Sequence, residues 1–236
     1  MKKIDNLVKM LMALSVFICC YACDSNDENT PNPTTTTVTA ESLNGYYIPY
    51  QDETSEGKQS YRVVSFFKEN GTMMAYLDGQ GVRRGYPLII NNNQFIFDIN
   101  ADNSNVLTFS FTKDVSGNIT LLNLTKTGGS TLTHYEMFSP SQIPSWGGFI
   151  FERVAGEAGF FKYYRFSANK TLFANDVSPN AEPNQGCYEL GNGFGFKSNG
   201  ELIMGIFVPS WKGNSNVKML LSHQNLSTAA QYKYYN

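Results

Sequence analysis

Short runs of alternating apolar residues, separated by clusters of Gly, Asn and Asp, are the feature that most constrains the fold of this chain. In the run Leu107-Thr108-Phe109-Ser110-Phe111-Thr112, every second side chain is apolar and the others are hydroxyls. A period of two is typical of a half-buried strand. Clusters such as Glu69-Asn70-Gly71 supply residues that tolerate a positive φ in turns. Helical periodicity is nearly absent after residue 43, so the sequence predicts an all-β fold.

The strand pattern occurs twice along the chain. The sequence at 67–72 matches that at 166–171, and 95–97 matches 194–196, at the same separation. Repeats of this length have the size of whole domains and indicate a duplication, although two unrelated β-meanders can also be aligned in partial register. The predicted strands lie near 45–50, 61–68, 72–77, 84–90, 94–99, 106–112, 119–126 and 132–138, and near 148–154, 160–167, 171–176, 186–190, 194–197, 201–208, 217–223 and 230–235.

Each half is expected to close into an eight-stranded antiparallel barrel, one over residues 42–139 and the other over 145–236. Closure removes the unpaired edges that eight short strands leave open. The interior of such a barrel is either filled by side chains or holds one small ligand. Pro140-Ser141-Gln142-Ile143-Pro144 is predicted to be a short stiff linker between the halves. An outer-membrane barrel is rejected, because it needs strands of about 9–11 residues with a lipid-facing apolar side.

Four short motifs resemble those of the lipocalin-like domains found in many Bacteroidetes lipoproteins, which begin with Leu-x-Gly-x-Trp and continue with a strand ending in Asp-Gly-Thr. The motifs are Leu43-Asn44-Gly45-Tyr46-Tyr47, the sequence 66–72 with Tyr86 after it, Trp146-Gly147-Gly148-Phe149, and Asn169-Lys170-Thr171. The resemblance implies two tandem lipocalin-like barrels. The departures from the pattern are Tyr47 and Ile150 in place of Trp, and Lys170 in place of the turn Gly.

The first 22 residues are typical of a lipoprotein signal peptide. Lysines at positions 2, 3 and 9 precede an apolar run from 10 to 20 that is too short to span a bilayer, which takes about 20 residues. The small residue Ala22 precedes Cys23, which is the predicted site of lipidation. Cys20 stands where the lipobox prefers Leu, so Cys19 or Cys20 remain alternatives. An ordinary cleaved signal with incidental cysteines is a further alternative.

Residues 23–41 are predicted to be a disordered, flexible tether. Almost nothing apolar lies between Asp24 and Thr37, and two prolines favour an extended chain. The acidic residues Asp24, Asp27 and Glu28 resemble the surface-export signal of Bacteroidetes lipoproteins, although any polar linker has a similar composition. The expected location is therefore the outer membrane, at the cell surface, with the N-terminal lipid as the contact to the membrane.

Composition narrows the classes of function. The net charge of -2 argues against a nucleic-acid partner, since nucleic-acid proteins usually carry a basic face. Cys187 is the one cysteine after Cys23, so no intramolecular disulfide is expected in the folded part. Stability must come from burial, and the 14% aromatic content can supply it.

Catalytic patterns are weak, so the chain is predicted not to be an enzyme and to use no metal or cofactor. His134 and His223 have no metal-ligand spacing. The glycine-rich stretch 191–195 is similar to a phosphate loop, but another turn follows it rather than a helix, so it is interpreted as a hairpin. The carboxylates Asp98 and Asp102, and Glu152 and Glu157, flank turns without a paired arrangement. A hydrolase is the least favoured alternative.

Three residues are candidate ligand contacts. Trp211 lies in a loop-like stretch, where an exposed indole can stack on a sugar or an apolar ring; the alternative is a plug over a barrel mouth. Arg83 and Arg84 can grip an anion, or they form a solvated loop pair. Trp146 is expected to pack between the two domains.

The predicted function is non-enzymatic binding of a small apolar or glycan ligand in a barrel mouth. The alternative is an accessory or adhesive scaffold subunit of an outer-membrane protein complex, with solid barrels and a docking surface for an envelope partner. The interior volume separates the two: an empty cavity of about 300 Å³ or more favours a ligand.

Overall fold

The strands predicted from the alternating runs are confirmed in the computed structural model of the chain. The structure describes residues 36–79, 82–156, 159–182, 185–198, 201–223 and 228–235, and the helices of this part are two short 3-10 turns, Glu41–Leu43 and Pro140–Gln142. The first half contains β1 (Tyr47–Glu53), β2 (Gln59–Glu69), β3 (Thr72–Gly79), β4 (Val82–Pro87), β5 (Gln94–Asp98), β6 (Val106–Lys113), β7 (Ile119–Thr127) and β8 (Thr131–Tyr135). The second half contains β9 (Ile150–Gly156), β10 (Tyr163–Phe166), β11 (Thr171–Asn175), β12 (Gln185–Gly186), β13 (Tyr188–Leu190), β14 (Gly193–Ser198), β15 (Glu201–Phe207), β16 (Met219–His223) and β17 (Ala229–Tyr234).

The first half folds into two antiparallel sheets that enclose one core. Five strands form the sheet β4-β3-β2-β1-β8, and three form the sheet β5-β6-β7. Aromatic rings of the two sheets pack against each other in this core. The ring centroid of Phe66 in β2 lies 6.1 Å from that of Phe95 in β5 and 6.5 Å from that of Phe109 in β6. The closed barrel predicted for this half is not confirmed, because β4 and β5, and likewise β7 and β8, form no ladder within the described residues. At the first of these gaps β4 ends on Pro87, which has no N–H to donate.

The second half forms one nine-stranded antiparallel sheet that nearly closes into a barrel. Its order is β12-β11-β10-β9-β17-β16-β15-β14-β13. The two edge strands are consecutive in the chain, since β12 ends at Gly186 and β13 begins at Tyr188. This short segment pairs with β11 on one side and with β14 on the other. The strand predicted near 186–190 is therefore interrupted at Cys187 and joins both edges of the sheet.

The outer faces of the two halves pack against each other in a shared core. Strand β2 contacts β15, β16 and β17, and every residue of β16 is buried. The chain from Thr35 onward accordingly forms one compact unit. The buried residues of this shared core are Tyr47, Tyr61, Val63 and Phe138 from the first half, and Met204, Ile206, Val208, Trp211, Val217, Leu220 and Ala229 from the second.

Polar contacts cross the shared core as well. The Tyr47 hydroxyl donates to the Phe207 carbonyl at 3.0 Å. The Gln231 side chain donates to the Tyr61 hydroxyl at 2.9 Å, and the Tyr61 amide donates to the Ser222 hydroxyl. Tyr47 occupies the position where the lipocalin-like pattern has Trp, and its hydroxyl supplies a contact that an indole ring has no oxygen to make.

The predicted tether is too long at its C-terminal end. Residues 36–41 lie against the first half, and Val38 is only 1% exposed. The Val38 amide donates to the Asn93 side chain at 2.8 Å, and the Thr36 amide donates to the Lys113 carbonyl at 3.0 Å. An apolar residue in an otherwise polar tether was the available signal, since Val38 stands alone among threonines.

The shared core predicts that the two halves unfold together. Trp211→Ala removes the largest side chain of that core and is expected to lower the free energy of unfolding by about 3–5 kcal/mol. The chain has two tryptophans, so the remaining fluorescence of this variant comes from Trp146 in the second half. Urea unfolding followed by Trp146 fluorescence and by far-UV circular dichroism should give one coincident transition at a lower midpoint.

Val177→Ala serves as the control, because Val177 is 91% exposed and the substitution should change stability by less than about 0.5 kcal/mol. Separate transitions in the Trp211→Ala variant, with the Trp146 signal unmoved, would show that the halves fold independently.

Candidate functional site

The residues predicted to bind or to carry lipid do not come together in one site. Cys23 lies outside the described residues, and so does the side chain of Arg83. Arg84 donates from Nη1 to the Ile99 carbonyl, just after β5. This contact bridges the gap between β4 and β5, so the guanidinium ties the two sheets of the first half together.

Trp211 is not on an exposed loop. Its side chain is 1% exposed and lies in the shared core. Its ring meets Tyr61 edge-on at 5.7 Å and His134 edge-on at 4.7 Å, and both of these residues belong to the first half. A sugar or apolar ring reaches this indole only if the two halves separate, which corrects the expectation of a stacking surface.

Trp146 does not pack between the halves, contrary to the prediction. Its ring stacks on Phe207 at 4.9 Å and meets Phe166 edge-on at 5.1 Å, both in the core of the second half. The Lys170 ammonium lies 4.9 Å from its centroid. Trp146 therefore covers the core of the second half, and the contact between the halves that was predicted for Trp146 is made by Trp211.

The two histidines have structural surroundings. His134 lies 2.8 Å from the Glu136 carboxylate, which also accepts the Lys212 amide from the second half. His223 is buried next to Phe160, with ring centroids 4.8 Å apart. Among the described residues, no group of three or more His, Cys, Asp or Glu side chains is placed to hold a metal ion.

Of the remaining sequence candidates, Asp98 ends β5, Asp102 lies in the turn after it, and Glu152 lies within β9. Asp98 accepts the amides of Asn100 and Asn103. Hydrogen bonds from Ser104 lower the pKa of Asp102. Glu152 lies between two lysine side chains, and Glu157 is outside the described residues. The glycine-rich stretch forms the hairpin between β13 and β14, as predicted.

A buried charge cluster in the first half is the most unusual polar feature of the described chain. The Asp52 carboxylate on β1 lies 3.0 Å from Nε of Arg62 and 3.2 Å from Nζ of Lys126, and the three side chains are 1%, 13% and 2% exposed. Lys126 also donates to the Ser130 carbonyl and hydroxyl at 2.8 and 2.6 Å. Two cations thus share one buried carboxylate.

Burial dominates the ionisation of this cluster. It lowers the pKa of the Lys126 ammonium, and the Asp52 carboxylate partly opposes that shift. It raises the pKa of Tyr50, with a further increase from Asp52. The Tyr50 hydroxyl is fully buried and has no hydrogen-bond partner among the described residues.

Two clefts open along the strands that carry or adjoin this cluster. One, of about 390 Å³, is lined by Lys126 with its β7 neighbours and by the turn into β8. The other, of about 410 Å³, lies at the opposite end of β7. The lining residues of the first are Leu124, Thr125, Lys126, Gly128, Gly129, Ser130, Thr131 and Leu132, and those of the second are Tyr46, Asn118, Ile119, Met137, Ser139, Ser141 and Gln142.

Sequence reasoning missed the charge cluster, although the strand period contains a signal for it. Ile48, Tyr50 and Asp52 alternate along β1, and the first two lie in the core, so the same phase directs Asp52 inward. Lys126 follows the buried Leu124 by two residues on β7 in the same way. A charged residue at an inward strand position predicts a buried ion pair.

No protein-family model, curated protein or solved structure matches this chain. The resemblance to lipocalin-like lipoprotein domains therefore stays a prediction that depends on the quoted motifs. Within the described residues, no helix is both long and apolar enough to cross a membrane.

The charge cluster predicts that substitutions of two residues in contact, Asp52 and Lys126, lower the free energy of unfolding by different amounts. Asp52→Asn leaves two cations facing each other in a buried site and should cost about 3–5 kcal/mol of unfolding free energy. Lys126→Met preserves the Asp52–Arg62 pair and should cost less than about 1.5 kcal/mol. Urea unfolding of both variants checks the difference, and equal costs would contradict this view of the cluster.

Proposed function

We propose that this chain is a lipid-anchored outer-membrane protein, exposed at the cell surface, that acts as a non-enzymatic accessory or adhesive subunit. The proposal depends on one observation: aromatic side chains fill the interior of the nearly closed sheet in the second half. A barrel occupied by its own side chains offers its outer surface, rather than its lumen, to other molecules. The proposal includes an envelope protein as partner and assigns no catalytic residue, cofactor, metal ion or nucleic acid.

Phe194 lies at the centre of these packed aromatic side chains. Its ring centroid is 4.8 Å from Phe166 and 5.3 Å from Phe207. Opposite it stands Gly205, where an added Cβ would come within 2.1 Å of the Phe194 ring. The glycine supplies the space that the ring occupies, which is the close complementarity expected of a solid interior.

Strand pairing supports the finer proposal that the halves are tandem lipocalin-like barrels over 42–139 and 145–236. In each half the last strand pairs with the first, β8 with β1 and β17 with β9. The connection between the two proposed domains contains the 3-10 turn Pro140–Gln142. A duplicated meander explains both pairings with one ancestral pattern.

A small glycan ligand is the second candidate, and the two clefts of about 390 and 410 Å³ favour it. Their walls carry hydroxyl and amide side chains such as Thr125, Ser130, Asn118 and Gln142. Such groups can hydrogen-bond sugar hydroxyls. An apolar ligand instead needs interior space in a barrel.

A solid interior predicts that only a cavity variant accepts an apolar probe. Phe194→Ala should lower stability by about 3–5 kcal/mol and leave a cavity. Toluene should then raise the melting temperature of this variant, because a ligand of the folded state stabilises it. Wild-type protein should show no shift with toluene, palmitate or retinol. A shift of the wild type would favour a hollow ligand carrier and contradict the scaffold function.

Lipid anchoring predicts that one cysteine controls membrane attachment. Cys23→Ala should release the protein from the membrane fraction and abolish incorporation of labelled palmitate. Cys19→Ala and Cys20→Ala are the matched controls and should remain attached. If one of the controls is released while Cys23→Ala stays attached, the cysteine replaced in that control is the lipidated residue.

A further inference from the structure

Asparagine stands directly before glycine at four places in the chain, which are Asn44-Gly45, Asn70-Gly71, Asn192-Gly193 and Asn199-Gly200. In such a pair the glycine backbone nitrogen can attack the asparagine side-chain carbonyl carbon, because no Cβ hinders the approach. The last pair lies outside the described residues. The other three differ in the properties that control this attack: exposure to solvent, the hydrogen bond of the glycine amide, and the free space beside the glycine.

The pair Asn44-Gly45 is held by hydrogen bonds. The Gly45 amide donates to the Phe66 carbonyl at 2.7 Å, and the Asn44 side-chain oxygen accepts the Lys68 amide at 3.1 Å. A Cβ added to Gly45 would lie 2.7 Å from Pro140, so the space beside this glycine is filled. The nitrogen that would attack is engaged, and the side chain that it would attack is fixed.

The pair Asn192-Gly193 is buried. Asn192 is 5% exposed, and Gly193 pairs with Leu190 on one side and with Ile206 on the other. A Cβ added to Gly193 would collide with the Gly205 carbonyl oxygen. Water and base reach this pair only when the sheet opens locally.

The pair Asn70-Gly71 forms the tip of the hairpin between β2 and β3. The last paired residues of the two strands are Glu69 and Thr72, so the turn consists of these two residues alone. Both residues are exposed, and both have a positive φ, 49° at Asn70 and 84° at Gly71. Asn-Gly is the sequence that two-residue hairpin turns of this conformation favour.

The Gly71 nitrogen is accessible at this tip. Its amide makes no hydrogen bond to another backbone group among the described residues. A Cβ added to Gly71 would meet nothing within 4 Å, so the space that is filled beside Gly45 and Gly193 is open here. Solvent base can therefore reach the amide proton, and water can reach the product of the attack.

We propose that Asn70 is a site of spontaneous deamidation, in which the Gly71 nitrogen is the internal nucleophile. Solvent base removes the Gly71 amide proton, the nitrogen forms a bond to Cγ of Asn70, and the bond from Cγ to Nδ2 breaks as ammonia leaves with a proton from water. Water then opens the resulting succinimide ring at either carbonyl and gives aspartate or isoaspartate. The net reaction consumes one water, releases one ammonia, and oxidises or reduces nothing.

Deamidation changes both the charge and the backbone of the hairpin. Either product adds a negative charge beside Glu69, and isoaspartate also inserts one methylene into the backbone of a two-residue turn. The turn follows β2, the strand that packs on the second half. The chemical state of this tip therefore records the age of each molecule, whichever partner or ligand the protein binds.

The test follows the three described pairs by peptide mapping and mass spectrometry. Purified full-length protein is incubated in mildly alkaline buffer, and a parallel sample is incubated in concentrated urea. In the folded sample Asn70 should convert at least about tenfold faster than Asn44 and Asn192, because those two react only through local opening. In urea the three rates should become similar, since the same dipeptide is then exposed at each place.

Gly71→Asn tests the role of the glycine. Asparagine tolerates a positive φ and its Cβ meets no neighbour here, but that Cβ hinders the attacking nitrogen. The rate at Asn70 should fall at least about tenfold in the folded variant. Gly57→Asn is the matched control, because Gly57 is also exposed, with a φ of 76° and no atom within 4 Å of an added Cβ, and it should leave that rate unchanged.

Three results overturn the proposal. The first is conversion of Asn44 or Asn192 in the folded protein as fast as that of Asn70. The second is an undiminished rate at Asn70 in Gly71→Asn. The third is aspartate without isoaspartate at position 70, measured by labelling with an isoaspartate methyltransferase, since direct hydrolysis by water gives aspartate alone.

Discussion

Burial of both faces of the wall formed by β15 and β16 is the constraint on which the rest of the structure depends. One face of this wall covers the interior of the second half, and the other covers β2 of the first. Strands buried on both sides read as continuous apolar runs, as in Met219-Leu220-Leu221. Trp211 and Tyr61 complete the contact from opposite halves, so neither half presents a fully polar exterior of its own.

The two halves differ in how completely their strands are paired. In the second half the segment 185–190 pairs with β11 and with β14, so the sheet nearly closes, and aromatic rings pack in its interior. The first half leaves two gaps, one bridged by Arg84 and the other partly bridged by Tyr135. The buried charges of Asp52, Arg62 and Lys126 lie beside the second gap. Polar and irregular features thus concentrate in the half that is less completely paired.

Strand positions could be predicted from the sequence because period-two alternation and turn residues are local signals, clearest at Leu107 to Thr112. The roles of the two tryptophans could not, since a tryptophan flanked by turn residues looks the same whether it faces solvent or another domain. The continuous run of β16 did carry the missing information, because a strand with solvent on one face does not need apolar residues at successive positions. The missing ladder between β7 and β8 is a feature of strand pairing, which the period of the individual strands does not encode.

The entry of the chain into the folded unit has a mechanical consequence. Thr36 bonds to the Lys113 carbonyl at the end of β6, and Val38 is embedded in the core of the first half. A pull on the upstream chain therefore loads the first half at Val38 before any strain reaches the second. The second half receives that load through the wall that both halves share, through the contacts of Trp211 and Lys212 with the first half, and through the connecting chain, so under tension it is loaded after the first half.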